Sequence, residues 1–365
     1  MIDSTDIRDD LYYWLALRRV EGIGAVYCKK LIDAFHGPKA VFSASSEELQ
    51  GVGGIAGTLA DRIKDFGGFD DAQNEIEKIR KEGIGIVTLT DARYPALLKR
   101  IADPPPFLYT KGLPDTPVER CIAVVGTRFP SPYGGRVTED IVLELIARGF
   151  TIVSGMAKGV DAVAQRTALL HKGHTVAIWG TGLDRAYPAE NARLAQDIAR
   201  YGLILTEYPL GTPPLETNFP ERNRIISGMS LAVIVTEASL NSGTMITVSH
   251  ALDQGREVFA VPGPIDAMMS QGTNRLIKQG GGMVDTVDSL IAELEVLAPR
   301  SPARRADLPR EQADVLSALE AGTMDLDTLI SRLKIDTAKV MSILTEMELN
   351  GLVKQLPGKR FMRME

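Results

Sequence analysis

The feature that most constrains this chain is an alternation of short apolar runs with helical segments, unbroken from Arg120 to about Leu297. The apolar runs are Cys121-Val125, Thr151-Val153, Thr175-Ile178, Leu203-Leu205, Leu231-Val235 and Val258-Val261. They carry the β-branched and aliphatic density of strands buried on both faces of a sheet. Between them the spacing predicts helices over Gly134-Arg148, Gly159-His171, Ala189-Tyr201, Asn218-Met229 and Gly243-Gln254. Strand and helix alternating at this interval imply right-handed crossovers and a parallel sheet covered on both sides. The predicted fold class is therefore α/β, with a Rossmann-like doubly wound parallel sheet. In such a sheet the strand-to-helix loops collect at the carboxyl ends of the strands, where helix N-termini and free N–H groups attract anions.

Those loops carry unusual chemistry. The first, Val125-Gly126-Thr127-Arg128-Phe129-Pro130, lacks the GxGxxG glycines and puts Arg128 in its mouth, which argues against a conventional NAD site and a dinucleotide cofactor. The second reads Ser154-Gly155-Met156-Ala157-Lys158-Gly159-Val160-Asp161, and the third Gly180-Thr181-Gly182 followed by Asp184-Arg185. A glycine in a strand-to-helix turn is often only a backbone requirement. Arg128, Lys158, Arg222 with Arg224, and Ser242-Gly243-Thr244, converging on one edge of one sheet, would instead build an anion-binding groove. That groove would be a local basic patch in a chain of net charge −6.

The flanks predict smaller modules. Residues 1–68 read as a helical domain similar to SAM or tandem helix-hairpin-helix units, with Gly-rich turns at Val20-Glu21-Gly22-Ile23-Gly24 and Leu49-Gln50-Gly51-Val52-Gly53-Gly54-Ile55. Two readings stay open for these turns: backbone N–H groups offered to a phosphate, or glycines supplying positive φ in a structural hairpin. Residues 69–114 read as a connector with a helix (Ala72-Glu82) and a strand (Gly85-Thr90), ending after prolines 104–106. The Rossmann-like domain is placed at 115–298, a basic linker at 299–310, and a winged helix at 311–365. Its third helix mixes Lys339 with Glu346 and Glu348, so protein contact and a modest DNA role both stay open for it.

The ordered series VVGTR, SGMAKGVD, GTGLDRAYP, TEYPLG, FPERNRIISGMS, TEASLNSGTMITVSHALDQGREVFAVPG and GTNRLIKQGG resembles the DNA-processing protein A (DprA, also called Smf) family over roughly residues 85–285. The resemblance implies single-stranded DNA binding, protection of incoming DNA, and loading of the RecA recombinase in natural transformation by a homodimer. Carried over by motif, Arg128, Lys158 with Gly159, Arg222, Asn223, Arg224 and the Ser242-Gly243-Thr244 loop would line a DNA groove, and Phe219 would stack on a base. The residues taken by themselves leave Phe219 open between such a face and a core position at the helix entry. Glu207 and Glu237 read as supports for arginines or loop amides rather than catalytic carboxylates.

An enzymatic alternative is a nucleotide phosphoribohydrolase. Those enzymes resemble this chain in their Gly-rich loop and helix, but their GGxGTxxE loop ends in a glutamate that does chemistry, and here Thr247 stands in its place. No catalytic residue, metal or cofactor is assigned, since His171, His174 and His250 lack ligand spacing. Cys28 and Cys121 form no CxxC pair, the N-terminus is acidic and polar, and no apolar run spans a bilayer. The chain reads as cytoplasmic.

Overall fold

A computed structural model describes residues 6–298, 309–319, 322–333, 335–349 and 352–363. The first nine strands are β1 (Gly85–Thr88), β2 (Phe107–Gly112), β3 (Cys121–Val125), β4 (Thr151–Ser154), β5 (Thr175–Ile178), β6 (Leu203–Thr206), β7 (Ala232–Val235), β8 (Glu257–Ala260) and β9 (Gly282–Met283). They form one sheet in the order β1-β2-β6-β5-β4-β3-β7-β8-β9. From β6 to β9 every pairing is parallel, with Cys121 opposite Thr151 on one side of β3 and Val125 opposite Val235 on the other. Every residue of β3 to β7 is buried, which is why these strands read as continuous apolar runs. The predicted helices occur at Pro132–Ala147, Val160–Leu170, Ala192–Tyr201, Asn218–Gly228 and Thr244–Asp253. The first of these starts at a Ser131 cap, whose Oγ accepts the Gly134 N–H at 3.1 Å, with Pro132 at the first helical position.

Two boundaries differ from the sequence expectation. Residues 85–112, read as connector, contribute β1 and β2, which extend the sheet antiparallel from β6, with Tyr109 opposite Thr206. The prolines 104–106 do lie outside the ladder, and Phe107 opens β2 directly after them. The division at residue 68 falls inside an aromatic cluster in which Phe69 stacks on Tyr12 (centroids 5.4 Å apart) and meets Phe66 edge-on. Met1–Leu297 accordingly forms one compact unit and Ala298–Glu365 a second. A chain is partitioned where few side chains cross, and Pro-rich composition marks such places only indirectly.

In the helical N-terminal part, Gly22 and Gly54 both take positive φ (89° and 95°), and each turn is closed by a matching backbone bond, Ile23 N–H to Val20 O and Ile55 N–H to Val52 O, both 3.0 Å. The glycines thus meet the backbone requirement of the turn.

In the second unit, helices Arg310–Leu319, Leu326–Leu333 and Thr337–Leu349 accompany β10 (Met324–Asp325), β11 (Val353–Leu356) and β12 (Arg360–Arg363), a three-stranded sheet in the order β10-β12-β11. Leu329, Val340, Met347 and Phe361 fill its core. The predicted winged helix is present, with β10 as an added strand. The predicted linker, up to residue 308, lies outside the described residues.

Candidate functional site

Strand order reverses at β3, which has β4 on one side and β7 on the other. The crevice expected at such a switch point is a cavity of about 540 Å3. It is walled by the loops after β3 (Val125 to Phe129), β4 (Gly155 to Lys158) and β7 (Ser242 to Thr247). Tyr187 and Pro188 after β5, and Glu216 to Asn223 after β6, complete it.

Close backbone approach holds these loops together. Gly159 has φ +79°, and a Cβ there would lie 2.3 Å from the Thr127 carbonyl oxygen, so only glycine lets the loop after β4 press against the loop after β3. The Val160 N–H then donates to Thr127 O at 3.1 Å. The loop after β7 is fastened to the loop after β3 by Thr244 Oγ1, which donates to Gly126 O at 3.0 Å, while Ser242 Oγ donates to Thr244 Oγ1 at 3.0 Å. Glu237 is 4% exposed, and its carboxylate accepts the Ser131 N–H (2.8 Å) and hydroxyl (2.6 Å). It supports loop amides, as the sequence suggested.

The cations of the site differ in what they can do. Arg128 is exposed and, among the described residues, has no ion-pair partner. Lys158 is ion-paired to Glu190. Arg222 is buried, and its Nη1 donates to the carbonyls of Gly155 (2.9 Å) and Ile178. Burial lowers its pKa to about 10 against the opposing pull of Asp161, so it is still protonated at neutral pH. Asp161 in turn is raised by burial and pulled back by Arg222, and it accepts the Gly155 N–H at 3.0 Å. Arg222 is therefore a charge fixed in the floor of the cavity, whereas Arg128 and Lys158 are the cations that can follow a ligand.

All the residues proposed from the sequence to line a DNA groove do line this cavity except Gly159, whose role is the close approach above, and Arg224. Arg224 is a correction. It is 9% exposed and turned away from the cavity, with Nη2 at 2.5 Å from Glu207 and Nε at 3.2 Å from Asp103. At 3.6 residues per turn, side chains two apart leave a helix on opposing faces. The i, i+2 spacing of Arg222 and Arg224 already forbade both from facing one ligand.

The aromatic wall is larger than expected. Phe219 is half-buried, and its ring stacks on Tyr187 with centroids 5.2 Å apart and 28° between planes. Tyr187 is 44% exposed and Phe129 is 76% exposed. Neither Tyr187 nor Phe129 was singled out from the sequence, although Phe129 follows Arg128 in the same loop and Tyr187 lies in GLDRAYP. Thr247, in the place of the hydrolase glutamate, lines the cavity and is 2% exposed. Among the described residues no group of His, Cys, Asp and Glu could hold a metal ion, and no helix is long and apolar enough to cross a membrane.

Comparison with known proteins agrees with this architecture. A family model described as DNA recombination-mediator protein A matches residues 85–295, and one described as the DprA winged helix domain matches residues 299–359. Protein Smf of Synechocystis sp. is 32% identical over 390 residues, covering 96% of this chain and 98% of the relative. DNA processing protein DprA of Bacillus subtilis is 37% identical over 240 residues, covering 66% of this chain and 80% of the relative. The solved structure of DNA processing protein A from Streptococcus pneumoniae superposes with a TM-score of 0.67 at 33% identity, covering 77% of this chain and 97% of that one. That of the Helicobacter pylori protein, reported for its single-stranded DNA binding mode, gives 0.53 at 33% identity, covering 59% and 97%. The first match runs from β1 into the helix Val287–Leu297 and the second covers most of the winged helix, so this chain belongs to the DNA recombination-mediator protein A family, the DprA/Smf proteins.

Proposed function

We propose that the cavity at the carboxyl ends of β3, β4 and β7 binds single-stranded DNA without sequence preference. On this reading the chain is a binding protein, not an enzyme. It protects incoming strands in the cytoplasm and, as a homodimer, passes them to the RecA recombinase during transformation. The observation that carries the reading is the convergence of Arg128 and Lys158 with an aromatic wall, Phe219 and Tyr187, around one cavity. Cations that follow a backbone, beside rings that offer a sequence-tolerant face to a base, are what a single strand requires. A base inside a duplex is stacked on both sides and has no free face to offer such a wall. The relatives' DNA-processing role and the single-strand binding reported for the Helicobacter pylori protein support the same reading.

The test is a titration of the full chain with labelled oligo-dT and with the matching duplex across a range of salt. The single strand should bind more tightly, and its affinity should fall steeply with salt. Equal affinity for the duplex would sink the reading.

A second expected outcome concerns chemistry. A threonine hydroxyl cannot serve as a general base near neutral pH, so the wall at Thr247 offers no replacement for the hydrolase glutamate. Purified protein should therefore release no free adenine from AMP. Release that disappears on Thr244→Ala would overturn the non-enzymatic assignment.

A further inference from the structure

We infer that Tyr187 supplies the open stacking face of the site, with Phe219 as the ring that braces it from behind. The inference rests on the single-strand reading above and deepens it to the residue that meets the base. A base stacks only on a ring face that is free to receive it. One face of Phe219 is already covered by Tyr187 at 5.2 Å. Its edge lies against the backbone of Gly180, where a Cβ would come within 2.9 Å of Cδ1, and the Arg222 guanidinium sits 6.0 Å over the same ring. Tyr187 lines the same cavity, is 44% exposed against a half-buried Phe219, and among the described residues the one aromatic ring it meets is that of Phe219.

The platform is held in place before any ligand arrives. Four residues beyond Tyr187, the buried Asn191 donates from Nδ2 to the carbonyls of Met156 (2.9 Å) and Ala157 (3.2 Å), and its Oδ1 accepts from Arg166 at 3.0 Å. These bonds tie the loop after β5 to the loop after β4. Lys158 pairs with Glu190 in the same segment, so the cation for a phosphate stands beside the ring for its base. An oriented ring on a fastened loop loses little freedom on binding.

The experiment uses the full chain with oligo-dT, alongside the same oligonucleotide carrying one 5-iododeoxyuridine for photocrosslinking. Tyr187→Ala should weaken binding at least about fivefold, the low end of what one stacked base contributes, while the salt slope and the melting temperature stay as in wild type. Tyr187→Phe should restore most of the affinity, because the face and not the hydroxyl is what binds. Phe219→Leu, which keeps an apolar brace, should cost less than Tyr187→Ala, and the crosslink should map to Tyr187. If Tyr187→Ala binds as tightly as wild type or more tightly, and the crosslink maps to Phe219, Tyr187 is a cover over Phe219 and the inference is wrong. In that case the wild type still prefers oligo-dT and the single-strand reading stands. If the wild type itself shows no preference for oligo-dT, both fall.

Discussion

Replacing Arg224 by alanine is expected to lower the stability of the sheet unit by about 3–5 kcal/mol, the usual cost of removing one partner from a buried ion pair, while leaving the salt slope of DNA binding unchanged. Arg224 and Glu207 each keep only 11% of their side-chain surface exposed, and the second partner, Asp103, comes from the proline loop that leads into β2. Truncation leaves the Glu207 carboxylate buried without the guanidinium that pairs with it. Burial already raises the Glu207 pKa above the ordinary carboxylate range, and Arg224 pulls it back down. A carboxyl with a raised pKa binds more protons folded than unfolded, so its contribution favours folding more as pH falls. Loss of Arg224 enlarges that shift, and the deficit should therefore shrink as pH drops below neutral. Adding Glu207→Gln to Arg224→Ala should recover part of the loss by removing the stranded charge. Chemical denaturation of the two variants at neutral and acid pH checks all three points. A normal melt together with a shallower salt slope would put Arg224 back at the DNA.

The double replacement of Arg128 and Lys158 by alanine should have the opposite signature. Each phosphate of a single strand that the protein no longer neutralises shallows the slope of log K against log salt by about 0.7, so the double variant should lose at most about 1.4, or at most roughly 25-fold in affinity at 0.1 M salt. Stability should hardly change, because Arg128 is exposed and the Lys158–Glu190 pair lies at the surface, where solvent and salt screen it. Arg128→Ala alone should give the full effect of one phosphate. Lys158→Ala should give less, since in the unbound protein that cation already has Glu190 beside it and a phosphate must replace the carboxylate. Titrations at several salt concentrations measure the slopes directly. Wild-type slopes in the double variant would remove these two loops from the site.

The alternation of buried strands and amphipathic helices determined the sheet from β3 to β8, because a strand covered on both faces has no composition open to it except the aliphatic runs at Cys121-Val125 or Ala232-Val235. The same pattern placed the loops at one edge, and with them Arg128, Lys158, Ser242 and Phe219. What the sequence did not disclose depended on direction and on distant partners. The strand predicted at Gly85-Thr90 is β1, but Phe107–Gly112 was read as connector, and it is a strand because β6 offers it an unpaired edge and β1 pairs on its other side. Tyr187 stands 32 positions before Phe219, and their stacking exists only because β5 and β6 are neighbours in the sheet. Arg222 and Arg224 look alike in a string of letters, yet the helix turns one toward the carbonyl of Gly155 and the other toward Glu207. Periodicity is a local property written in consecutive residues, so the sequence by itself determined the elements and their order. Which cation meets solvent and which is spent inside the protein follows from contacts between residues far apart in the chain, and only the tertiary structure decided it.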